Sequence, residues 1–114
     1  MQTSTTLRGD VWLVDLNPAL GTEIQKTRPA VIVSNNSANR YNSRVVVVPV
    51  TSNVEQLYST ESRVVVSGRK GKAMCDQIRS VDKRRLIKRL DFLEPNELAD
   101  LERALSKALG LALP

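Results

Sequence analysis

Short apolar runs separated by polar punctuation recur along this chain. Asp10-Val-Trp-Leu-Val-Asp-Leu16 is rich in strand formers and halts at Asn17-Pro18, which predicts a first strand. A polar segment from Asn17 to Arg28 precedes Pro29-Ala-Val-Ile-Val33, whose unbroken apolar character predicts a buried second strand. A connection that long points to a working loop. Ser34 to Asn42 has the small polar residues of a turn or one short helix, and Arg44-Val-Val-Val-Val-Pro-Val-Thr51 then resumes β-branched extended chain. Pro49 predicts a bend or an edge position in that strand. Two further strands, Arg63-Val-Val-Val-Ser67 and Lys72 to Val81, are predicted on either side of a hairpin turn at Gly68-Arg-Lys-Gly71. Pro95 suits a helix N-terminus, and Leu98, Leu101, Leu105 and Leu109 recur at helical spacing before Gly110. The expected fold is mainly β: about five short strands in a strongly curved sheet or barrel, with one C-terminal amphipathic helix packed on it.

The chain has 114 residues, 41% of them hydrophobic, which is enough for one buried core and too little for two ordinary domains. A single domain over 1–114 is expected, with 1–7 as a flexible tail and no internal repeat or linker. No run of about 18 apolar residues occurs, and the opening residues lack the pattern of a secretory signal. The expected setting is cytoplasmic, without a membrane partner.

Histidine is absent and Cys75 is the single cysteine, so neither a zinc cluster nor an intrachain disulfide can form. Catalysis without histidine is left to carboxylate, hydroxyl, lysine or arginine. The formal charge is +5, and it is concentrated: nine basic residues stand against Asp76 and Asp82 between Arg69 and Arg89. Such a segment suits phosphate, and it is equally what a solvated basic face looks like.

Glu23 and Arg28 flank one stretch of the long loop, and Arg28, placed before proline, is biased toward extended backbone at a strand entrance. Taken alone, the two could form an ordinary surface ion pair. Strand alternation through Asp76-Gln-Ile-Arg-Ser80 would put Gln77 and Arg79 on one face, with Cys75, as a pair of ligand contacts or as a surface hydrogen-bond pair. Cys75 itself reads as a small core residue. Trp12 reads as core or dimer contact, whereas Tyr41 and Tyr58, in predicted loops, are the better platforms for stacking bases.

Six segments in order, Arg8-Gly-Asp-Val-Trp12, Gly21-Thr-Glu23, Arg28-Pro-Ala-Val-Ile-Val-Ser-Asn35, Val48-Pro-Val-Thr-Ser52, Asp76-Gln-Ile-Arg-Ser-Val81 and Asp82-Lys-Arg-Arg-Leu86, resemble the MazF/PemK family of toxin endoribonucleases. The resemblance runs from Arg8 to Leu111. It implies an SH3-like barrel of about five to seven strands, a homodimer, and cofactor-free, metal-independent cleavage of single-stranded RNA to 2′,3′-cyclic phosphate and 5′-hydroxyl ends. It also implies a co-encoded acidic antitoxin that blocks the site. By position, Arg28 and Thr51 match the family's catalytic arginine and threonine, and Glu23 matches a nearby acidic residue of variable role. Lys26, Gln77, Arg79, Tyr41 and Tyr58 are the expected RNA contacts.

The chemistry fits a histidine-free chain, because RNA supplies its own 2′-hydroxyl nucleophile. Arg28 can stabilise charge building on the phosphate oxygens, and a guanidinium suits that role better than acid catalysis. Glu23 can accept the 2′-hydroxyl proton. Thr51 can donate to a phosphate oxygen, or else simply satisfy backbone at a strand end. The competing reading is a non-catalytic protein of the same fold that poisons gyrase or binds nucleic acid without cutting it.

Overall fold

The computed structural model describes residues 5–18, 20–23 and 26–112. The β-branched runs become strands: β1 (Asp10–Asp15), β2 (Thr27–Ile32), β3 (Arg44–Thr51), β4 (Glu61–Val66), β5 (Arg69–Met74), β6 (Arg79–Asp82) and β7 (Leu86–Phe92). Neighbours pair antiparallel in the order β4-β5-β3-β2-β1-β7, and β6 also pairs with β3. The sheet curls into a half-barrel. A short helix α1 (Asn36–Tyr41) fills the β2–β3 connection, and α2 (Pro95–Leu109) closes the chain.

Alternation along the strands sends side chains to two cores. Val11, Val31, Val48 and Val64 pack with Leu101 and Ala104 of α2, with Leu98 and Leu105 partly buried against them. Trp12, Val14, Ile32, Val45, Val47 and Val81 form the other cluster. Trp12 is therefore core, although its indole N–H is buried without a partner. Of the expected tail at 1–7, residues 1–4 lie outside the described residues, while Leu7 exchanges hydrogen bonds with Asp10, its N–H donating to the carboxylate and its carbonyl accepting from the Asp10 N–H.

Four sequence expectations need correction. Pro49 is not at an edge, because β3 is flanked by β2 on one side and by β6 and β5 on the other. The Val46 carbonyl accepts from Val33 N–H, so Val46 faces β2, and by alternation Pro49 turns its nitrogen toward the β5/β6 side. Having no N–H, Pro49 sits where a continuous ladder would need one, and there the predicted single strand 72–81 breaks into β5, a 3-10 turn at Cys75–Gln77, and β6. The hairpin turn is the two-residue Ser67-Gly68, both at positive φ (51° and 81°), as a tight primed turn demands, and Arg69 to Gly71 belong to β5. Tyr41 closes α1 rather than lying in a loop. β7 was not expected at all, since its run of basic residues masks the alternation.

Side chains tie the outer strand β4 to α2 and its following turn to β7. Val65 N–H donates to Glu97 Oε2 at 2.8 Å, and Ser67 N–H donates to Asp91 Oδ2 at 2.8 Å. Carboxylates thus take the place of carbonyls along the open edge of β4. Glu97 accepts with its other oxygen from Glu94 N–H at 3.0 Å, completing a capping box that fastens the start of α2 to the sheet.

β5 approaches β3 closely at Gly71, where an added Cβ would stand 2.9 Å from the Thr51 carbonyl oxygen and 3.0 Å from Val50 Cγ1. Backbone cannot yield there as a flexible side chain can. Gly71→Ala is expected to lower stability by about 1–3 kcal/mol, the usual range for overpacking. Urea denaturation checks this, and an unchanged midpoint would mean that the strands separate freely at this point.

Candidate nucleic-acid interface

Arg28 enters β2 opposite Val14 of β1, and Thr51 ends β3 opposite Lys72 of β5. The curl of the sheet brings these two strand termini to one cavity of about 320 Å³, shared with Ser52, Arg69, Lys70 and Leu90. Thr51 Oγ1 accepts from Asn53 N–H at 3.2 Å, so the hydroxyl proton is available to a ligand. The opposite wall is the β4–β7 seam, where Ser67 Oγ donates to the Leu90 carbonyl at 3.2 Å. Hydrogen bonds from the Ser67 and Phe92 N–H groups hold the Asp91 carboxyl below the usual carboxylate range.

Glu23 lines a second cavity, of about 280 Å³, with Thr22, Asp76, Gln77, Ile78 and Arg79. It is exposed, and its Oε1 accepts from Leu20 N–H at 2.6 Å. Glu23 is thus grouped with Gln77 and Arg79, while Arg28 and Thr51 share the first cavity. The expected division of faces across 75–80 fails, because the 3-10 turn brings Asp76 and Ile78 to the same cavity as Gln77 and Arg79, and Cys75 turns into the core. Arg79 donates from Nη1 to the Leu16 carbonyl at 3.0 Å, and Arg85 Nη1 donates to the Asp15 carbonyl at 3.2 Å. The two arginines clamp the root of the β1–β2 loop. Lys26 stands at the other root, exposed, with φ at 72°; its N–H donates to Asn17 Oδ1 at 2.9 Å and its carbonyl accepts from Leu16 N–H.

The tyrosines separate. Tyr41 is 76% exposed, has the Arg40 guanidinium 5.5 Å from its ring, and lines a different cavity with Leu7 and Asn36. Tyr58 is exposed in the β3–β4 loop, its ring 5.6 Å from Lys72 Nζ. Sequence reasoning missed Arg69 and Lys70 as cavity residues, having placed them in a turn, and missed the pairing of Lys72 with Glu61. The register set by a two-residue Ser67-Gly68 turn would have brought that diagonal pair together.

Residues 7–109 match the family described as PemK-like, MazF-like toxin of type II toxin-antitoxin system. Endoribonuclease MazF9 of Mycobacterium tuberculosis is 40% identical over 91% of this chain and 96% of its own, and endoribonuclease MazF of Staphylococcus epidermidis is 34% identical over 91% of each. A mycobacterial endoribonuclease solved with its cognate antitoxin superposes with a TM-score of 0.80 at 30% identity, covering 96% of this chain and 99% of that one. MazF from Deinococcus radiodurans superposes at 0.86 with 26% identity, covering 96% and 100%. The chain belongs to the PemK/MazF-like toxin family of type II toxin-antitoxin systems. Among the described residues, no helix is long and apolar enough to cross a membrane.

Cys75 is fully buried beneath α2, and burial, reinforced by the charges of Asp76 and Glu61, pushes its thiol up to about 12. The folded protein should therefore resist Ellman's reagent at neutral pH and react only once unfolded. The unfolded thiol ionises near its ordinary value of 9.0 while the folded one retains its proton, so the unfolded state releases a proton first. Stability should fall between about pH 9 and 12, and Cys75→Ala should remove that part of the slope in denaturation measured across this window.

Proposed function

We propose that this toxin is an endoribonuclease that cuts single-stranded RNA by metal-independent transesterification. The observation that carries the reading is the convergence of Arg28 and Thr51, from the ends of two different strands, on one cavity that also holds Arg69 and Lys70. In this reading the ribose 2′-oxygen attacks the adjacent phosphorus, the bond to the 5′-oxygen breaks, and a 2′,3′-cyclic phosphate and a 5′-hydroxyl result. Arg28 presents a planar cation to the oxygens that gain charge, and Thr51 donates its hydroxyl to one of them. Glu23, which lines the other cavity, accepts the 2′-hydroxyl proton, and the leaving 5′-oxygen takes its proton from water. Gln77 and Arg79 meet the adjoining nucleotide there, with Lys26 at the mouth of the loop and Tyr58 as an exposed ring for a base. Tyr41, on the surface beyond α1, is left for a more distant nucleotide.

The chain acts as a homodimer in this reading, in the cytoplasm where its RNA is, and its inhibitor is an acidic antitoxin segment lying in the same groove. Cavities that offer Arg and Lys to phosphate offer the same donors to carboxylates. Metal is unnecessary on chemical grounds, since the cation at the reacting phosphate is a guanidinium. Among the described residues, no group of three or more acidic or sulfur donors is placed to hold an ion.

Cleavage of single-stranded RNA should persist in excess EDTA. Arg28→Ala should lower the rate by about 100-fold or more with smaller loss of RNA binding, the pattern of lost transition-state stabilisation. Glu23→Gln should lower the rate by about 100-fold or more, as expected for loss of a positioned general base. An active Arg28→Ala protein, or abolition by EDTA, refutes the mechanism, and binding without any cleavage would favour a non-catalytic toxin. In sedimentation at micromolar concentration, the mass should be twice the 12.6 kDa of the chain; a monomer that still cuts RNA would rule out the dimer as the working form.

A further inference from the structure

Thr51 opens a loop, 52–60, that reaches β4, and most of that loop is exposed. Its start is held locally: Asn53 N–H donates to Thr51 Oγ1, and Glu55 N–H donates to Asn53 Oδ1 at 3.2 Å. Its centre is held from below by Lys72. The Nζ of that side chain donates to the Gln56 carbonyl at 2.6 Å and to Glu61 Oε1 at 2.9 Å, and Glu61 Oε1 in turn accepts from Tyr58 N–H at 3.0 Å. Both side chains are only 9% exposed. Lys72 is also the register partner of Thr51 across β3 and β5. A single buried pair thus ties the middle of the loop to the strand position beside the catalytic threonine.

We propose that Lys72 and Glu61 are positioning residues that hold the 52–60 loop as a preformed wall of the RNA groove, and so set which nucleotides beside the cleaved phosphate are accepted. The inference rests on the nuclease reading above. A buried ammonium and carboxylate are costly to desolvate, and an apolar pair of similar volume often replaces them without loss of stability. What an apolar pair cannot supply is the donor for the Gln56 carbonyl and the acceptor for Tyr58 N–H. The loop would then lose its hold while the barrel keeps its fold.

The test is the double variant Lys72→Met/Glu61→Leu, with each single variant beside it. The double variant should fold with a thermal midpoint near that of the parent, whereas each single variant leaves a buried charge unpaired and should melt earlier. Amide hydrogen exchange over 53–59 should rise by about 10-fold or more, as expected for opening a local hydrogen-bonded unit. On a long RNA, mapped 5′ ends should spread to additional sites, and KM for the preferred site should rise about five-fold or more with kcat nearly unchanged. Unchanged exchange overturns the latch. Faster exchange with the parental cleavage pattern and KM overturns its role in specificity. A parent protein that cuts no RNA overturns the nuclease reading and the specificity role with it, while the exchange comparison still decides whether the pair holds the loop. If the double variant does not fold, Glu61→Gln, which keeps an acceptor for Tyr58 N–H, should retain the parental cleavage pattern better than Lys72→Met, and equal loss in both would count against the proposal.

Discussion

Pro49 has no N–H to donate, and the strand that carries it exchanges one partner for another at that residue. The two cavities depend on this arrangement. Because the ladder on that side cannot run through Pro49, the chain after β5 leaves the sheet, makes one 3-10 turn, and returns as β6. The turn delivers Asp76 and Gln77 to the second cavity, while the stretch of β3 beyond the break presents Thr51 to the first. The absence of a side chain at Gly71 allows β5 to reach that last stretch closely enough to hold Thr51 in place. One missing hydrogen and one missing Cβ therefore help to set where Gln77 and Thr51 stand.

How much of this was legible in the sequence varies with the kind of signal. β3 was read with both of its limits, because a β-branched run between Ser43 and Ser52 has nothing else to become. α2 was read nearly to the residue from Pro95, the leucine spacing and Gly110. Arg28 and Thr51 were legible as family motif residues, and the structure brings them to one cavity. The misreadings share a cause: they are places where a partner distant in sequence decides. The break at Cys75–Gln77 depends on Pro49, and β7 depends on β1, to which it pairs with two register shifts. Strand alternation is a local rule, so it could not place Gln77 and Arg79 once a turn intervened. The carboxylates of Glu97 and Asp91, which cap the β4 edge, follow no spacing rule, since each acts across the fold.

The basic run from Arg69 to Arg89 illustrates why charge counted along a sequence overstates what a ligand meets. Lys72 is paired with Glu61 at 2.9 Å, Arg84 with Asp82 at 3.0 Å and Arg89 with Asp10 at 3.3 Å, and each pair largely cancels its own field. Arg79 and Arg85 are also held, but by backbone carbonyls, and a carbonyl fixes a guanidinium without neutralising it. These two keep their charge and lose only their freedom, at the root of the loop that carries Glu23. Arg69 and Lys70 add theirs at the cavity of Arg28 and Thr51. The unpaired positive charge of this run thus falls on the cavity of Arg28 and Thr51 and on the root of the β1–β2 loop, whereas in the second cavity Glu23 and Asp76 stand beside Arg79. Preorganisation of that kind lowers the entropy that binding an anion must remove, because the guanidinium groups held by carbonyls are already set by the fold.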